Sequence, residues 1–300
     1  MSLRYKLISI LIVISILAQS AHISLAESSF QDTPTVTPDS IDLVIPPGNG
    51  FSQPLTVTTG ETPIPKLDVL FLFDVTGSMG DVIDAAKANG IDIMEAVRAK
   101  VPDTAFGVAS FADYPANYNY ADYADTYGAP GDYPWTPDQA ITTDIVQVQN
   151  AINNLSLHNG EDGPESYSRA LYEAMLVDWR MGSKRVIVLF GDAPAHDTTF
   201  YSKNYGVDPG PDEEAGTADD IGFADIINAV AASPITIIPI NSDLSDNADT
   251  QKGFEYMAAQ TGGQVFSIGN AGEAPAAVSS GLDQAAQTIK RLTASLSSDA

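Results

Sequence analysis

From residue 66 onward, short apolar runs of strand length alternate with longer runs of helical periodicity. The predicted strands cover residues 68–73, 105–111, 185–190, 235–240 and 265–268. The predicted helices cover residues 82–100, 144–153, 166–179, 223–232, 251–260 and 274–292. Such alternation is typical of a mostly parallel sheet with helices on both faces, because parallel strands are usually joined by a helical crossover. We therefore predict one doubly wound α/β domain over residues 66–293.

The first residues have the pattern of a secretory signal peptide. Arg4 and Lys6 precede an apolar run over residues 7–18, and residues 24–26 form a small-residue cleavage site. The apolar run is shorter than the about 20 residues that span a bilayer, so a membrane anchor is the weaker alternative. We expect a mature chain that begins at Glu27 and is secreted or displayed at the cell surface.

The segment between the signal peptide and the α/β domain is expected to contain little structure. Residues 27–39 are polar and rich in Pro and Thr, which predicts a linker, and two short strands are predicted at 41–45 and 54–59. Two strands alone are marginal in water. They should therefore pack on the main domain, on the chain near residues 292–296, or on another chain. The predicted organisation is a signal peptide at 1–26, a linker with two strands at 27–65, the α/β domain at 66–293 and a tail at 294–300.

The charge of the chain limits its partners. The sequence holds 39 acidic and 14 basic residues, a formal net charge of -25, and the signal segment contains two of the bases and no acid, so the mature charge is -27. Nucleic acids and anionic lipids would be repelled, and cations would be attracted. The chain has no cysteine, which excludes thiolate catalysis and cysteine-ligated zinc. We expect neither nucleic-acid binding nor membrane insertion of the mature chain.

Polar side chains follow the first strand of the α/β domain at the point where it ends. In the stretch FLFDVTGSMGD, Asp74, Thr76 and Ser78 stand at alternate positions. Open α/β sheets bind ligands at this edge, and alternate residues of a tight loop can turn three oxygens toward one point. Three hard oxygens without a thiol or an imidazole suit a hard cation.

Two enzymatic interpretations of this loop fit less well. A dehalogenase-type phosphatase would need a second acid two residues after Asp74, where the chain has Thr76. A serine hydrolase using Ser78 would need a histidine late in the chain, and neither His158 nor His196 has the required spacing. We expect His196 to form local hydrogen bonds and His158 to lie in a loop, so no catalytic residue is predicted.

Further oxygen ligands should come from other loops at the same edge, because a hard divalent ion prefers about six oxygens. Asp192 follows the strand predicted at 185–190, in FGDAPAH. Glu165 lies in NGEDGPES, just before the helix predicted at 166–179. These two acids are the strongest candidates for the further ligands of the metal ion.

The three segments DVTGSM, DGPE and FGDAPAH, in this order, resemble the metal loops of a von Willebrand factor type A domain. The resemblance is closest to the I-like domain of integrin beta subunits and covers roughly residues 66–292. It implies a metal-ion-dependent adhesion site that holds Mg²⁺ or Mn²⁺ and accepts an Asp or Glu carboxylate from a protein partner. It therefore implies a binding module and not an enzyme; a metal-assisted hydrolase and a structural module of a larger surface assembly are the alternatives. By position, the metal residues would be Asp74, Thr76, Ser78, Glu165 and Asp192.

The integrin-like group also has two flanking calcium sites. By position, Asp81 would serve one of them, with Asp84 as a substitute for the acid that the group has where this chain has Val82. Asp162 would serve the other, although the asparagine usual two residues earlier is Gly160. The resemblance thus predicts two flanking Ca²⁺ sites, and at each of them this sequence lacks one residue that is usual in the integrin-like group.

Two segments stand outside these motifs. The stretch between residue 113 and Trp135 is rich in tyrosine, which gives a large contact area with few rotatable bonds, as in antibody paratopes. We predict a partner-binding loop, with packing of the rings on the domain as the alternative. Residues 207–220 hold six acids and no base, which predicts a solvated loop. The tyrosines are Tyr114, Tyr118, Tyr120, Tyr123, Tyr127 and Tyr133, and an alternative calcium site in the acidic segment would use Asp208, Asp212, Asp219 and Asp220.

Overall fold

The computed structural model describes residues 35–38, 51–58, 66–118, 126–245, 247–286 and 292–298. These residues belong to two compact units, divided after Thr62 and again before Ile289. The strands are β1 (Thr35–Thr37), β2 (Phe51–Thr58), β3 (Leu67–Asp74), β4 (Thr104–Phe111), β5 (Thr136–Thr142), β6 (Lys184–Gly191), β7 (Ile235–Asn241), β8 (Phe266–Ser267) and β9 (Leu292–Ser298). The helices are α1 (Gly80–Lys100), α2 (Ile145–Asn154), α3 (Tyr167–Leu176), α4 (Phe223–Ala232), α5 (Ala248–Thr261) and α6 (Ala274–Ala285), with 3-10 turns at Gly77–Met79 and Ala271–Glu273.

The smaller unit contains a three-stranded antiparallel sheet in the order β1-β2-β9. β2 pairs with β9 from Phe51 opposite Ser298 to Val57 opposite Leu292. The predicted strand at 54–59 therefore exists and pairs with the end of the chain, which was one of its three predicted partners. β1 lies within the predicted linker, and the strand predicted at 41–45 lies outside the described residues.

The larger unit contains a six-stranded sheet in the order β5-β4-β3-β6-β7-β8. Five of these strands are parallel, and β5 runs antiparallel to β4 at one edge. Helices cover both faces, so the predicted doubly wound α/β fold is confirmed. The edge strand β5 was not predicted, because its residues TPDQAIT are mostly exposed or half-buried and lack an apolar run.

Alternation along the central strand builds two hydrophobic cores. Val69, Phe71 and Phe73 belong to the core that contains apolar residues of α1, α2 and α6. Leu70 and Leu72 belong to the core formed with α3, α4 and α5. Successive side chains of a strand point to opposite faces, so a strand covered on both faces is apolar at nearly every position. This explains why the parallel strands were recognisable from sequence.

The helices differ from prediction mainly at their C-terminal ends. α3 ends at Leu176 and not at residue 179, because the next residue, Val177, has an extended backbone with ψ 156°. α6 ends at Ala285 and not at residue 292, since Leu292 begins β9. Among the described residues, no helix is both long and apolar enough to cross a membrane.

The amino-terminal edge of the large sheet is fixed by a buried acid. Asp68 in β3 is 0% exposed. Its carboxylate accepts hydrogen bonds from Arg180 Nε at 2.5 Å, the Arg180 backbone N–H at 2.7 Å and Ser183 Oγ at 2.9 Å. The Arg180 guanidinium also pairs with Asp103, which precedes β4. A buried charge is tolerated only when it is paired and hydrogen-bonded, and this pairing ties the turn before β6 to β3.

The opposite edge carries a row of acids, because the parallel strands all end there. Asp74 is the last residue of β3, Asp113 lies two residues beyond β4, and Asp192 directly follows β6. The fold thus collects carboxylates that are far apart in sequence.

Candidate metal centre

Three carboxylates from separate loops meet at the carboxyl edge of the large sheet. Asp74 and Glu165 are buried, with 0% and 4% exposure, and Asp192 is half-buried. Burial and the nearby Asp192 raise the pKa of Asp74 to about 7. Burial and then the charge of Asp74 raise the pKa of Glu165 well above its usual range. The group is therefore electrostatically unfavourable when all three acids are ionised and no cation is bound.

Asp74 orients the hydroxyl of Thr76. Its Oδ1 accepts hydrogen bonds from the Thr76 backbone N–H at 2.9 Å and from Thr76 Oγ1 at 2.7 Å. A hydroxyl that donates its proton to a carboxylate keeps its own lone pairs for another ligand. Thr76 can therefore present an oxygen to a cation while Asp74 holds it in place.

Ser78 and Asp192 form the exposed side of the group. Ser78 is exposed and lies near the Asp192 carboxylate. Burial raises the pKa of Asp192, while the Ser78 hydroxyl opposes the shift. The loops that follow β3 and β6 are thus close to one another at the surface.

Glu165 contributes a buried oxygen that lacks a partner. Its backbone is fixed against the β6 loop by hydrogen bonds from Glu165 N–H to Pro194 O at 3.0 Å and from His196 N–H to Glu165 O at 3.3 Å. Its side-chain Oε2 is buried and has no hydrogen-bond partner among the described residues. An unpaired buried carboxylate oxygen is costly, and a bound cation would satisfy it.

Glycine is favoured at position 160, in the loop before α3, where the backbone passes close to the candidate metal centre. Gly160 has φ +57°, and a Cβ at this position would lie 3.0 Å from Thr76 Cγ2 and 3.2 Å from Glu165 Oε1. The left-handed backbone and the close approach both disfavour a side chain. The glycine that stands in place of the expected asparagine therefore has a packing reason.

The five residues predicted for the main metal site thus come from three loops at this edge of the sheet, and they influence one another through hydrogen bonds or charge. Their side chains offer only oxygen, and one of those oxygens is buried and unpartnered. This donor set fits a hard divalent cation. The residues are Asp74, Thr76, Ser78, Glu165 and Asp192.

The residues predicted for flanking calcium sites are separated. Asp81 and Asp84 are exposed on the first turns of α1. Asp162 instead lies with Asp113 and His196, and ligand atoms of these three residues are within 4.8 Å of one another. Among the described residues, these three are the His, Asp and Glu side chains whose ligand atoms approach one another this closely, and the carboxylates of Asp74, Glu165 and Asp192 lie farther apart.

His196 gives this second group another interpretation. Its Nδ1 lies 2.7 Å from the Tyr205 carbonyl oxygen, which can only accept, so Nδ1 carries a proton. Its Nε2 lies 3.0 Å from Asp113 Oδ2. Burial alone would lower the pKa of His196, but the carboxylates of Asp113 and Asp162 outweigh it and raise the pKa to about 9. The group could hold a metal ion, but a charged imidazolium already supplies a positive charge.

The local hydrogen bonds predicted for His196 are confirmed, whereas Asp113 was not among the predicted ligands. Asp113 lies two residues beyond β4, at the edge where Asp74 and Asp192 were recognised. The same strand-end rule would have identified it.

The predicted partner-binding loop is largely turned inward. Tyr114, Tyr118 and Tyr127 are buried together. Their hydroxyls donate to the acidic segment: Tyr114 to Asp208 Oδ1 at 2.7 Å, Tyr118 to Glu213 O at 2.7 Å and Tyr127 to Val207 O at 3.0 Å. The structure therefore does not place these three rings where a partner could reach them.

The remaining predicted tyrosines give no exposed contact surface in the described part of the chain. Tyr133 is half-buried, and its hydroxyl lies 2.8 Å from Ser110 Oγ. Tyr120 and Tyr123 lie outside the described residues. Packing of the rings on the domain, the alternative to a partner-binding loop, holds for the four tyrosines that the structure describes.

The acidic segment has one buried member. Asp208 is 0% exposed and also accepts from the backbone N–H groups of Gly210 and Arg169, at 3.1 Å each. Burial raises its pKa to about 6. The acids at 212, 219 and 220 accept hydrogen bonds from Thr217 and from nearby backbone N–H groups. Asp208 is therefore an anchor of the loop, which differs from the solvated loop predicted for the whole segment.

Tyr114→Phe should lower the free energy of unfolding by about 1–3 kcal/mol, the effect of leaving a buried acceptor without its donor. Chelator-treated protein unfolded in urea would measure the change. Tyr256→Phe is the matched control, because the Tyr256 hydroxyl is exposed and its contact with Asn228 is 3.5 Å long. Equal effects of the two substitutions would contradict an anchoring role for Tyr114.

Comparison with known proteins gives partial likenesses. No protein-family model matches the chain. Over 164 residues it is 27% identical to the alpha-protein kinase vwkA of Dictyostelium discoideum, which covers 54% of this chain and 24% of that protein. The chain thus spans about a quarter of the length of the curated relative that it matches.

Two solved structures align with the chain at low identity. The VWA domain of SpRpn10 has a TM-score of 0.43 at 14% identity, covering 68% of this chain and 88% of that one. Proximal thread matrix protein 1 from the mussel byssus has a TM-score of 0.47 at 12% identity, covering 76% and 50%. A VWA domain is thus among the structural neighbours, and none of these three proteins is an integrin beta subunit.

Proposed function

We propose that this chain is a metal-dependent protein-binding module whose cation is Mg²⁺ or Mn²⁺. The observation that carries the proposal is the buried, unpartnered Oε2 of Glu165 within a group of mutually repelling carboxylates. A cation would satisfy that oxygen and neutralise the repulsion in one step. Hydroxyls would come from Thr76 and Ser78, a carboxylate from Glu165, and support, direct or through water, from Asp74 and Asp192.

The exposed position of Ser78 supports recognition at the protein surface. A cation held there would keep one coordination position facing solvent, where an Asp or Glu of a protein partner can bind. The chain carries a net charge of -25, so an acidic partner would be repelled at long range. The cation would have to supply the local attraction, and removal of the cation should abolish binding.

A binding role fits the described histidines better than hydrolysis does. A metal-assisted hydrolase would need a general base near the activated water. Both ring nitrogens of His196 face acceptors, so this histidine is not available as a base. We propose a non-enzymatic module, exported under the direction of the segment 1–26.

Calorimetric titration of the chelator-treated protein with Mg²⁺, Mn²⁺ and Ca²⁺ tests the main site. We expect sub-millimolar binding of Mg²⁺ and Mn²⁺ that Ser78→Ala and Glu165→Gln each weaken at least about tenfold, since each removes a first ligand. Asp92→Asn, which changes an exposed acid farther along α1, should leave the affinity unchanged within about threefold. The proposal would be overturned if none of the cations bound, or if neither substitution changed their affinity.

A further inference from the structure

Tyr167, the first residue of α3, places its hydroxyl between two loops of the candidate metal centre. The hydroxyl donates to Asp74 Oδ2 at 3.1 Å. It also accepts a hydrogen bond from the backbone N–H of Ala193 at 3.4 Å. Asp74 ends β3, and Ala193 directly follows Asp192 in the loop after β6. A single buried hydroxyl therefore joins the first loop to the third.

Packing fixes the position of this hydroxyl. The Tyr167 side chain is 0% exposed, and its ring meets Phe111 edge-on at 4.8 Å and Phe254 at 5.8 Å. The backbone of Gly191 passes close above, since a Cβ there would lie 2.1 Å from the Tyr167 oxygen. A side chain at position 191 would therefore displace the Tyr167 hydroxyl from its present position.

The contacts of Asp74 show what the hydroxyl does. A carboxylate offers about two lone pairs on each oxygen. Oδ1 of Asp74 uses both for the N–H and hydroxyl of Thr76, and Oδ2 accepts from Tyr167. With a donor on each oxygen, the carboxylate plane is held in one orientation. The direction of the Thr76 hydroxyl follows from that orientation.

We propose that Tyr167 is a positioning residue of the metal centre, which holds Asp74, and through it the Thr76 hydroxyl, in the arrangement that a cation requires. This inference rests on the proposed function. Partners that orient metal ligands contribute to affinity without touching the metal themselves. The shared hydroxyl also sets the spacing between the first and third loops, so the ligand positions exist before the cation arrives.

Tyr167→Phe tests this role, because phenylalanine keeps the ring and removes only the oxygen. We expect Mg²⁺ and Mn²⁺ to bind about 10–100-fold more weakly by calorimetry, the range for loss of a ligand-orienting partner. Tyr201→Phe is the matched control: Tyr201 is 8% exposed and its hydroxyl accepts from the Ala195 backbone N–H at 3.2 Å. It removes a similar hydroxyl, which contacts the backbone of the loop after β6 and none of the predicted ligand side chains.

The melting temperature in excess chelator separates positioning from folding. A positioning role predicts similar melting temperatures for the two chelated variants but weakened metal binding for Tyr167→Phe alone. Gly191→Ala is a second test, because it displaces the hydroxyl while tyrosine remains. Its loss of affinity should be smaller in the Tyr167→Phe background than in the wild type, because the tightest contact, 2.1 Å to the hydroxyl oxygen, is then removed and only the ring carbons Cε1 and Cζ remain, at 2.9 Å.

Three outcomes overturn the inference. Tyr167→Phe with wild-type affinity, or a loss equal to that of Tyr201→Phe, would overturn the positioning role and leave the metal site standing. A wild-type protein that binds none of the cations would overturn the proposed function and the positioning role together.

Discussion

Arg180→Ala should lower the free energy of unfolding of the large unit by about 3 kcal/mol. Removal of one partner from a buried ion pair costs about 3–5 kcal/mol, because the other charge is left buried and uncompensated. Asp68 would lose the guanidinium of Arg180 but keep the backbone N–H of residue 180 and the hydroxyl of Ser183. These remaining donors place the expected effect at the lower end of the range.

A surface pair provides the control for this prediction. Lys100 pairs with Asp283, and the two side chains are 54% and 44% exposed. Lys100→Ala should therefore change stability by about 0.5 kcal/mol or less. Urea unfolding of both variants in chelator, followed by circular dichroism, would measure the difference. Similar effects for Arg180→Ala and Lys100→Ala would show that the buried pair does not fix the amino-terminal edge of the sheet.

The large unit should lose about 3 kcal/mol of stability between pH 6.5 and pH 9 because of His196. Its pKa is raised from 6.5 to about 9 in the folded protein, where Asp113, Asp162 and the Tyr205 carbonyl surround it. A raised pKa means that the folded state binds the proton more tightly than the unfolded state. The stabilisation is therefore complete below pH 6.5 and is lost as the pH rises through 9, at about 1.4 kcal/mol for each unit of pKa difference.

Substitution of this histidine should flatten the pH dependence. Urea unfolding at several pH values in chelator would compare wild type, His196→Gln and His158→Gln. His158 is the control, because its side chain is 21% exposed, against 0% for His196, and its Nδ1 lies 3.3 Å from Asp132 Oδ1. We expect His158→Gln to retain the wild-type loss between pH 6.5 and 9. A wild-type slope in His196→Gln would show that His196 does not gain a second ring proton, and so a positive charge, in the folded protein.

The fold was predictable where burial is complete. β3, β4 and β7 are buried at every position, so each is a largely apolar run in the sequence. β5 was not predictable in this way, because it forms an edge whose residues are mostly exposed or half-buried. β9 was not predicted as a strand: its first residue, Leu292, was placed at the end of a helix and residues 294–300 in a tail, because the backbone pairing that makes it a strand comes from residues 51–57, far away in sequence.

The residues of the candidate site also fall into two groups: those whose place could be predicted from the sequence and those whose place could not. Asp74 and Asp192 could be predicted, because a strand end fixes where the next side chain lies. The buried position of Tyr114 could not be predicted, because its hydrogen-bond partner Asp208 is 94 residues away in sequence. Tyr167 was read only as part of a helix, and its contact with Asp74 spans 93 residues. Contacts of this kind depend on tertiary packing, which cannot be inferred from local sequence patterns.

The edges of the large sheet have a consequence for self-association. At one edge, β5 contains Pro137, which has no amide hydrogen, and its register with β4 shifts twice. At the other edge, β8 is only two residues long. Long, regular edge strands with unpaired backbone groups can pair with further chains and so form fibrils. Edge strands that are short, irregular or contain proline hinder this pairing. The large unit should thus stay soluble at concentrations where a sheet with long open edges would recruit further copies of itself.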